Sequence, residues 1–288
     1  MKRLPALGFA LLILLPTSEA FAADLSGTLK KIKDSGAIAI GYRDSAVPFS
    51  FVGADRSPTG YSIDLCRQVV GALQQSLGLP KIQIKWVGVT SDSRIAAVAS
   101  GSVDLECGST THTLSRQEQV DFSLTTFVDG GSLLVTTASG IKGAGDLAGK
   151  RLAVIAGTTT ERGLADWFRA NNVSGAKVVN VKDHVDGLAG LDGGAFDAFA
   201  SDRVILFGLA ANSKDATKLT LLQEYFSYEP YGLVLRRDDP AFRLAVDRAL
   251  AGLYRSRGVI PIYEKWFGSI NRATSIIQAM YLLNALPE

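Results

Sequence analysis

Strands and helices alternate along this 288-residue chain in two successive series. In the first series, AIAIGY, KIQIKWVGV and VDLECG are predicted strands, separated by the helices GYSIDLCRQVVGALQQSLGL and SRIAAVASG. In the second series, KRLAVIAG, AKVVNV and FDAFAS are predicted strands, and helices such as TTTERGLADWFRAN lie between them. Regular alternation of this kind predicts parallel strand pairing and an α/β fold.

Two extended segments, near residues 126–135 and 228–235, stand at the borders of the second series. A chain that leaves the first series, builds the second and returns crosses between two lobes twice. This organisation predicts one lobe from residues 23–131 together with 233–288, and a second lobe from residues 132–232. The cleft between such lobes is lined by the carboxyl ends of strands, where open α/β sheets bind ligands.

The first 22 residues have the pattern of a secretory signal. Lys2 and Arg3 precede an apolar stretch over residues 6–15, and Ala20-Phe21-Ala22 supplies a small-x-small cleavage site. No other apolar stretch is long enough to cross a membrane. We therefore expect an exported protein whose mature chain begins at residue 23.

The composition excludes several classes of partner and cofactor. The 30 basic and 28 acidic side chains nearly balance, and no basic run indicates a nucleic-acid partner. Two distant histidines and two cysteines do not supply a cluster of metal ligands, so no metal site and no cofactor is predicted. Export allows a disulfide between Cys66 and Cys107, but two small buried thiols are equally compatible with the sequence.

Arginines follow two predicted strands of the first series. Arg43 comes after AIAIGY, and the segment TSDSR, which contains Ser91 and ends in Arg94, follows KIQIKWVGV. Arg94 then begins a helix, where the helix dipole disfavours a cation. A bound carboxylate would justify the arginine, because guanidinium grips carboxylate with two parallel hydrogen bonds. The alternative of a solvated arginine stays open.

Hydroxyl groups follow two further strands, one in each series. The loop Gly108-Ser109-Thr110-Thr111 follows VDLECG, and Thr158-Thr159-Thr160 begins a helix after KRLAVIAG. A glycine allows the backbone to approach a ligand closely, and hydroxyls with free N–H groups accept an anion. An ordinary polar loop explains the first segment equally well. Thr158 and Glu161 also have the spacing of a capping box, which is compatible with anion binding at the same helix end.

The remaining candidates are His184, after AKVVNV, and Asp202, after FDAFAS. Asp202 is alternatively a helix N-terminal residue, and His184 a surface histidine. Together the strand ends supply two arginines, many hydroxyls, one histidine and one carboxylate. This inventory suits a small molecule with two carboxylates and one ammonium, which is the inventory of an acidic amino acid.

Several segments resemble one family, the periplasmic glutamate/aspartate-binding proteins of bacterial ABC importers. These are members of the polar amino acid branch of the solute-binding proteins, family 3. The resemblance spans nearly all of the mature chain in order, and it lies in GYRDSAVPFSF, TGYSIDLC, TSDSRIAAVASGSVDLECGSTTHTLSRQEQVDFS, AGTTTE, KDHVDG and YGLVLRRDDPAF. The combination of TS-x-x-R with ECGSTT is its most specific part.

This resemblance implies a type II periplasmic binding protein with two α/β lobes that close on an amino acid. It implies that Arg94 holds the α-carboxylate and Asp202 the ammonium, while Arg43 and His184 recognise the side-chain carboxylate. The other ligand-binding positions that it implies are Ser91, Gly108, Ser109, Thr110, Thr111, Thr158, Thr159 and Thr160. It further implies a periplasmic monomer that delivers its ligand to an inner-membrane ABC permease. His112 and Arg203 depart from the family pattern.

Two alternatives belong to other functional classes. Cys107 has no histidine at the spacing of a cysteine hydrolase, and no G-x-S-x-G elbow is present. A dehydratase of the same fold would need a general acid, for which Glu106 and Asp202 are the candidates. A sensory domain would be fused to a membrane helix or a kinase, and the chain shows neither. A ligand with a neutral amide, such as glutamine, also stays open.

Overall fold

A computed structural model describes residues 25–268 and 273–287 of the chain. The predicted signal, residues 1–22, lies outside the described residues. Among the described residues, no helix combines the length and the apolar character needed to cross a bilayer.

The first series contains helices that alternate with the strands of one main sheet, and a small three-stranded sheet. Its elements are α1 (Gly27–Ser35), β1 (Ala37–Tyr42), β2 (Ser45–Ala46), β3 (Ser50–Val52), β4 (Pro58–Thr59), α2 (Tyr61–Ser76), β5 (Gln83–Gly88), α3 (Arg94–Ala99), β6 (Leu105–Glu106), α4 (Leu114–Gln117) and β7 (Val120–Asp129). The predicted helix at Arg94 and the predicted strands around it are confirmed.

The second series follows directly, and the chain then returns. Its elements are β8 (Gly131–Thr136), β9 (Arg151–Ile155), α5 (Thr159–Ala170), β10 (Lys177–Val181), α6 (His184–Asp192), β11 (Ala198–Asp202), α7 (Arg203–Ala210) and β12 (Leu219–Leu221). The returning chain forms β13 (Glu229–Arg236), α8 (Pro240–Arg255), α9 (Val259–Phe267) and α10 (Ser275–Asn284).

The two main sheets share one topology. The first has the order β5-β1-β6-β13-β7 and the second the order β10-β9-β11-β8-β12. In each sheet the first three strands pair in parallel, and a strand adjoining the other series is inserted antiparallel beside them. This arrangement confirms the predicted α/β class with mostly parallel sheets. The carboxyl ends of the parallel strands form one edge of each sheet, as the site requires.

The chain passes between the sheets at two adjacent places. Asp129 ends β7 in the first sheet, and Gly131 begins β8 in the second. On the return, β13 pairs with β7 from Glu229 onward, opposite Asp129. The strand that returns to the first sheet therefore begins four residues before the predicted boundary at residue 233. The division into two lobes stays a prediction.

A cluster of aromatic rings packs beneath the two crossings. Phe49 lies edge-on to Phe127 at 4.9 Å and to Tyr231 at 5.1 Å between ring centroids. The hydroxyl of Tyr61, on α2, donates to the carbonyl of Thr126 at 2.8 Å. All of these side chains are buried, and offset or edge-on aromatic pairs add stability beyond their buried area. The two crossings therefore pack against buried aromatic side chains.

A disulfide joins Cys66 on α2 to Cys107 at the end of β6, with 6.4 Å between their Cα atoms. This separation lies in the range that a bridge allows. Both side chains are fully buried. The bridge ties the loop that follows β6 to the helix behind it, so the sequence alternative of two free buried thiols is wrong.

Removing this bridge should lower the free energy of unfolding by about 4 kcal/mol, because the bridge closes a loop with a sequence separation of 41 residues. Urea denaturation with and without reductant measures the loss. The double variant Cys66→Ser/Cys107→Ser is the control and should not respond to reductant, since the chain holds only 2 cysteines. Equal urea midpoints for the oxidised and reduced protein would contradict the prediction.

Candidate functional site

Arg94 is the first residue of α3 and is only 3% exposed. One of its terminal nitrogens lies 3.4 Å from the carbonyl oxygen of Ser109. Its Nε has no hydrogen-bond partner among the described residues. A buried guanidinium at a helix N-terminus, with an unused donor, is a site that requires an anion.

Arg43 follows β1 and is also buried, at 4% exposed. Within residues 25–268 and 273–287, its guanidinium makes no hydrogen bond or ion pair. Burial, and then the nearby charge of Arg94, lower the pKa of Arg43 to about 10. The carboxylates of Glu106, Asp44 and Asp183 offset this effect only in part. The pair of neighbouring buried cations therefore also favours an anionic ligand.

The four predicted residues of the loop after β6 fall into two groups, one that lines the cavity and one that lies behind it. Ser109 and Thr111 line the cavity beside Arg94. The hydroxyl of Thr110 instead donates to Glu106 at 2.8 Å. A Cβ atom on Gly108 would lie 2.1 Å from Oε1 of Glu106, so only glycine allows this close approach. Gly108 and Thr110 therefore shape the loop from behind.

The N-terminus of α5 brings three threonines to the opposite side. Thr158 accepts the backbone N–H of Glu161 at 3.1 Å, and the Glu161 carboxylate accepts the N–H of Gly157 at 2.8 Å. This reciprocal capping confirms the structural part of the sequence interpretation. The hydroxyls of Thr159 and Thr160 donate to carboxylates, and all three threonines also line the cavity.

Asp202 ends β11 and is buried. Its side chain makes no capping hydrogen bond to α7, so the alternative of a simple helix cap is wrong. It accepts the hydroxyl of Thr160 at 2.7 Å and the hydroxyl of Tyr231. Burial, and then the charge of Glu229, raise the pKa of Asp202 to about 6. A cation beside this carboxylate would restore its ordinary ionisation.

His184 begins α6 and is buried, so the alternative of a surface histidine is wrong. Its Nδ1 lies 3.5 Å from the hydroxyl of Ser45, in the hairpin of the first series. Burial, and then the charges of Arg43 and Arg94, lower the pKa of His184 to about 3. The ring is therefore neutral and has one N–H donor, which is free for a ligand when Nδ1 accepts the hydroxyl of Ser45.

These side chains surround one small cavity. Ten of the twelve predicted ligand-binding residues line it, namely Arg43, Ser91, Arg94, Ser109, Thr111, Thr158, Thr159, Thr160, His184 and Asp202. The sequence prediction missed four further lining residues, Ile155, Ala200, Ser201 and Ile205. Ile155 and Ala200 are strand residues of ordinary apolar type, so their sequence carries no signal of a site.

Two residues that depart from the family pattern lie outside this cavity. The ring of His112 stacks on Phe122 with 4.4 Å between centroids. The guanidinium of Arg203 lies 5.3 Å from the ring centroid of Tyr225 and donates to the carbonyl of Leu222. Neither side chain faces Asp202 or the arginines. No group of metal-ligating side chains occurs in the part of the chain that the structure describes.

Comparison with known proteins agrees with this geometry. Residues 38–269 match the family of bacterial extracellular solute-binding proteins, family 3. The chain belongs to this family.

Two curated relatives and one solved structure illustrate the match. The L-glutamate/L-aspartate-binding protein of Pseudomonas aeruginosa is 40% identical over 262 residues, which cover 91% of this chain and 86% of the relative. The glutamate/aspartate import solute-binding protein of Escherichia coli is 36% identical and covers 85% and 82%. A periplasmic binding protein from Brucella ovis with glutathione bound superposes with a TM-score of 0.74 at 27% identity, over 92% of this chain and 81% of that chain.

Gly108→Ala should weaken ligand binding and lower stability, because the new Cβ would displace Glu106 and press on Cγ of Arg43, which would lie 3.1 Å away. Gly71→Ala is the matched control. It lies in α2, and a Cβ added there would meet nothing within 4 Å. The control should gain about 0.5–1 kcal/mol of stability from helix propensity. Urea unfolding of both variants measures the contrast, and a Gly108→Ala protein as stable as the wild type would contradict it.

Proposed function

We propose that this protein captures an acidic L-amino acid, glutamate or aspartate, and delivers it to an ABC permease in the inner membrane. The observation that carries the proposal is the pair of buried arginines, Arg43 and Arg94, at a cavity that also contains the carboxylate of Asp202. Two cations and one anion complement two carboxylates and one ammonium. The names of the relatives from Pseudomonas and Escherichia support the same ligand class.

The ligand would lie across both sheets. Arg94, with Ser91, Ser109 and the backbone of Thr111 nearby, would hold the α-carboxylate, and Asp202 would accept the ammonium. Arg43 and the neutral ring of His184 would hold the side-chain carboxylate. Because Arg43 and Arg94 follow strands of the first sheet, and His184 and Asp202 belong to the second, one ligand contacts both sheets. Contacts of this kind favour a closed arrangement over an open one.

Delivery requires export, and family membership supports a location outside the cytoplasm. We propose that residues 1–22 direct this export and are removed. The mature chain would act as a periplasmic monomer that meets its permease only transiently.

The alternative of a dehydratase-like enzyme has weaker support. Glu106 is buried behind Gly108, is bonded to Thr110 and does not line the cavity. Asp202 is already bonded to two hydroxyls. Glu106 is therefore not placed as a general acid, which leaves Asp202 as the one candidate of the two, and the relatives from Pseudomonas and Escherichia are named as binding proteins.

Calorimetric titration of the ligand-stripped mature protein tests the proposal. L-Glutamate and L-aspartate should bind with micromolar or tighter affinity, and L-glutamine should bind much more weakly. Arg94→Met keeps the length and burial of the side chain but removes its charge. We expect this variant to lose at least roughly thirtyfold in affinity, as a buried carboxylate loses its charged partner. Normal binding by Arg94→Met, or a preference for glutamine, would contradict the assignment.

The affinity should also fall as the pH drops below about 6, the raised pKa of Asp202. An ammonium requires the ionised carboxylate, so below this pKa binding must release a proton, and the affinity falls by up to about tenfold per pH unit. The His184→Gln variant is the control, because it removes a second buried group that must be neutral in this site. A flat affinity profile between pH about 7 and about 5 in both proteins would contradict the role of Asp202.

A further inference from the structure

Glu229 lies at the start of β13, where the chain returns to the first sheet, and it is fully buried. Its Oε2 accepts the hydroxyl of Thr111 at 2.5 Å and the hydroxyl of Thr159 at 2.6 Å. Its Oε1 accepts the hydroxyl of Ser227 at 2.6 Å. No sequence pattern identifies this residue, and it does not line the cavity.

Two of these three bonds stay within one part of the fold. Thr111 bridges to Tyr231 on β13, and the adjacent His112 N–H donates to the carbonyl of Pro230 at 2.7 Å. The loop that carries Thr111 is therefore fixed to the same strand as Glu229. Ser227 precedes that strand, and its hydroxyl accepts the N–H of Gly131 at 2.9 Å.

The third bond joins two different sheets. Thr159 is the first residue of α5, which follows β9 of the second sheet. When the sheets separate, Thr159 moves away from Glu229, whereas Thr111 stays beside it. We therefore expect the Thr159–Glu229 bond to form only in the closed arrangement.

The hydroxyls of Thr111 and Thr159 both donate their protons to Glu229. Thr111 and Thr159 lie 3.1 Å apart, but each hydroxyl has a single proton. Both protons point to the same carboxylate oxygen, so neither hydroxyl has a proton left to donate to a ligand. The hydroxyl of Thr159 then bonds to Glu229 and not to the ligand, whereas the family resemblance implies a direct ligand contact for Thr159.

We propose that Glu229 is a latch: its buried carboxylate binds Thr159 across the cleft and stabilises the closed state without touching the ligand. This inference rests on the proposed function, because the latch shows itself through the retention of the bound amino acid. A contact formed only after closure slows ligand release and leaves ligand capture unchanged.

The test measures the association and dissociation of isotopically labelled L-glutamate, with unlabelled L-glutamate as the chase. Thr159→Val replaces the hydroxyl with a methyl group of similar size, and we expect dissociation roughly ten- to a hundredfold faster, the range for a hydrogen bond to a charged group. The association rate should stay unchanged. Thr159→Ser keeps the hydroxyl and should release ligand at nearly the wild-type rate.

A matched control separates the latch from a general loss of packing. Ser132→Ala removes a buried hydroxyl that bonds to Leu222 and Glu224, both outside the cleft. This variant should leave the dissociation rate unchanged. Glu229→Gln removes the charge but keeps an oxygen that can accept the Thr159 hydroxyl, so it should also release ligand faster. Adding Thr159→Val to it should have a smaller effect than Thr159→Val has alone, since both changes weaken the same bond.

Wild-type dissociation by Thr159→Val, or fully additive effects of Thr159→Val and Glu229→Gln, would overturn the latch. If Glu229→Gln fails to fold, the dissociation rates of Thr159→Val and Thr159→Ser still decide whether the Thr159 hydroxyl slows ligand release. Failure of the proposed function is a different result, because the wild-type protein itself would then retain no labelled glutamate.

Discussion

The whole arrangement depends on two neighbouring buried guanidinium groups, those of Arg43 and Arg94, in a cavity where the carboxylate of Asp202 offsets only part of their charge. Moving a charge out of water costs several kcal/mol even after relaxation, and Arg43 and Arg94 repel each other as well. A ligand with two carboxylates offsets this cost only when it reaches both arginines. The same electrostatics keep His184 neutral and thereby fix what the ring can offer. The proposed preference for an acid over an amide follows from this imbalance of charge.

The fold supplies such a cavity by using one topology twice. In each sheet, three parallel strands end at the same edge, and the residue types needed for binding follow those ends. The first sheet supplies the cations, and the second supplies Asp202, His184 and the threonines of α5. Because neither sheet alone holds the complete proposed site, binding and closure would be coupled through the ligand and through Glu229. The disulfide at Cys107 and the capping at Thr158 keep the two sets of side chains in place.

The sequence predicted most of the site because strand ends are local features. Arg94 could be identified from its unfavourable position at a helix N-terminus, and Asp202 from its place after an apolar strand. Glu229 and Tyr231 could not be identified, because they reach the site only through the antiparallel return of β13 beside β6 and β7. No local pattern encodes that pairing. The opposite directions of Thr110 and Thr111 likewise depend on the buried carboxylate of Glu106.

The pairing of Cys66 with Cys107 could not be predicted from the sequence either, because it depends on the distance between α2 and the end of β6. The short strands β2, β3 and β4 went unpredicted for a similar reason. Each is only two or three residues long, so no periodicity can be detected. Their hairpin nevertheless matters, because it places Ser45 beside His184.

A crystal structure of the mature protein with L-glutamate tests the central claim most directly. The account predicts the α-carboxylate on the guanidinium of Arg94, including its free Nε, the ammonium on Asp202 and the side-chain carboxylate on Arg43. A ligand that left either guanidinium without a carboxylate would contradict the account, even if it occupied the same cavity.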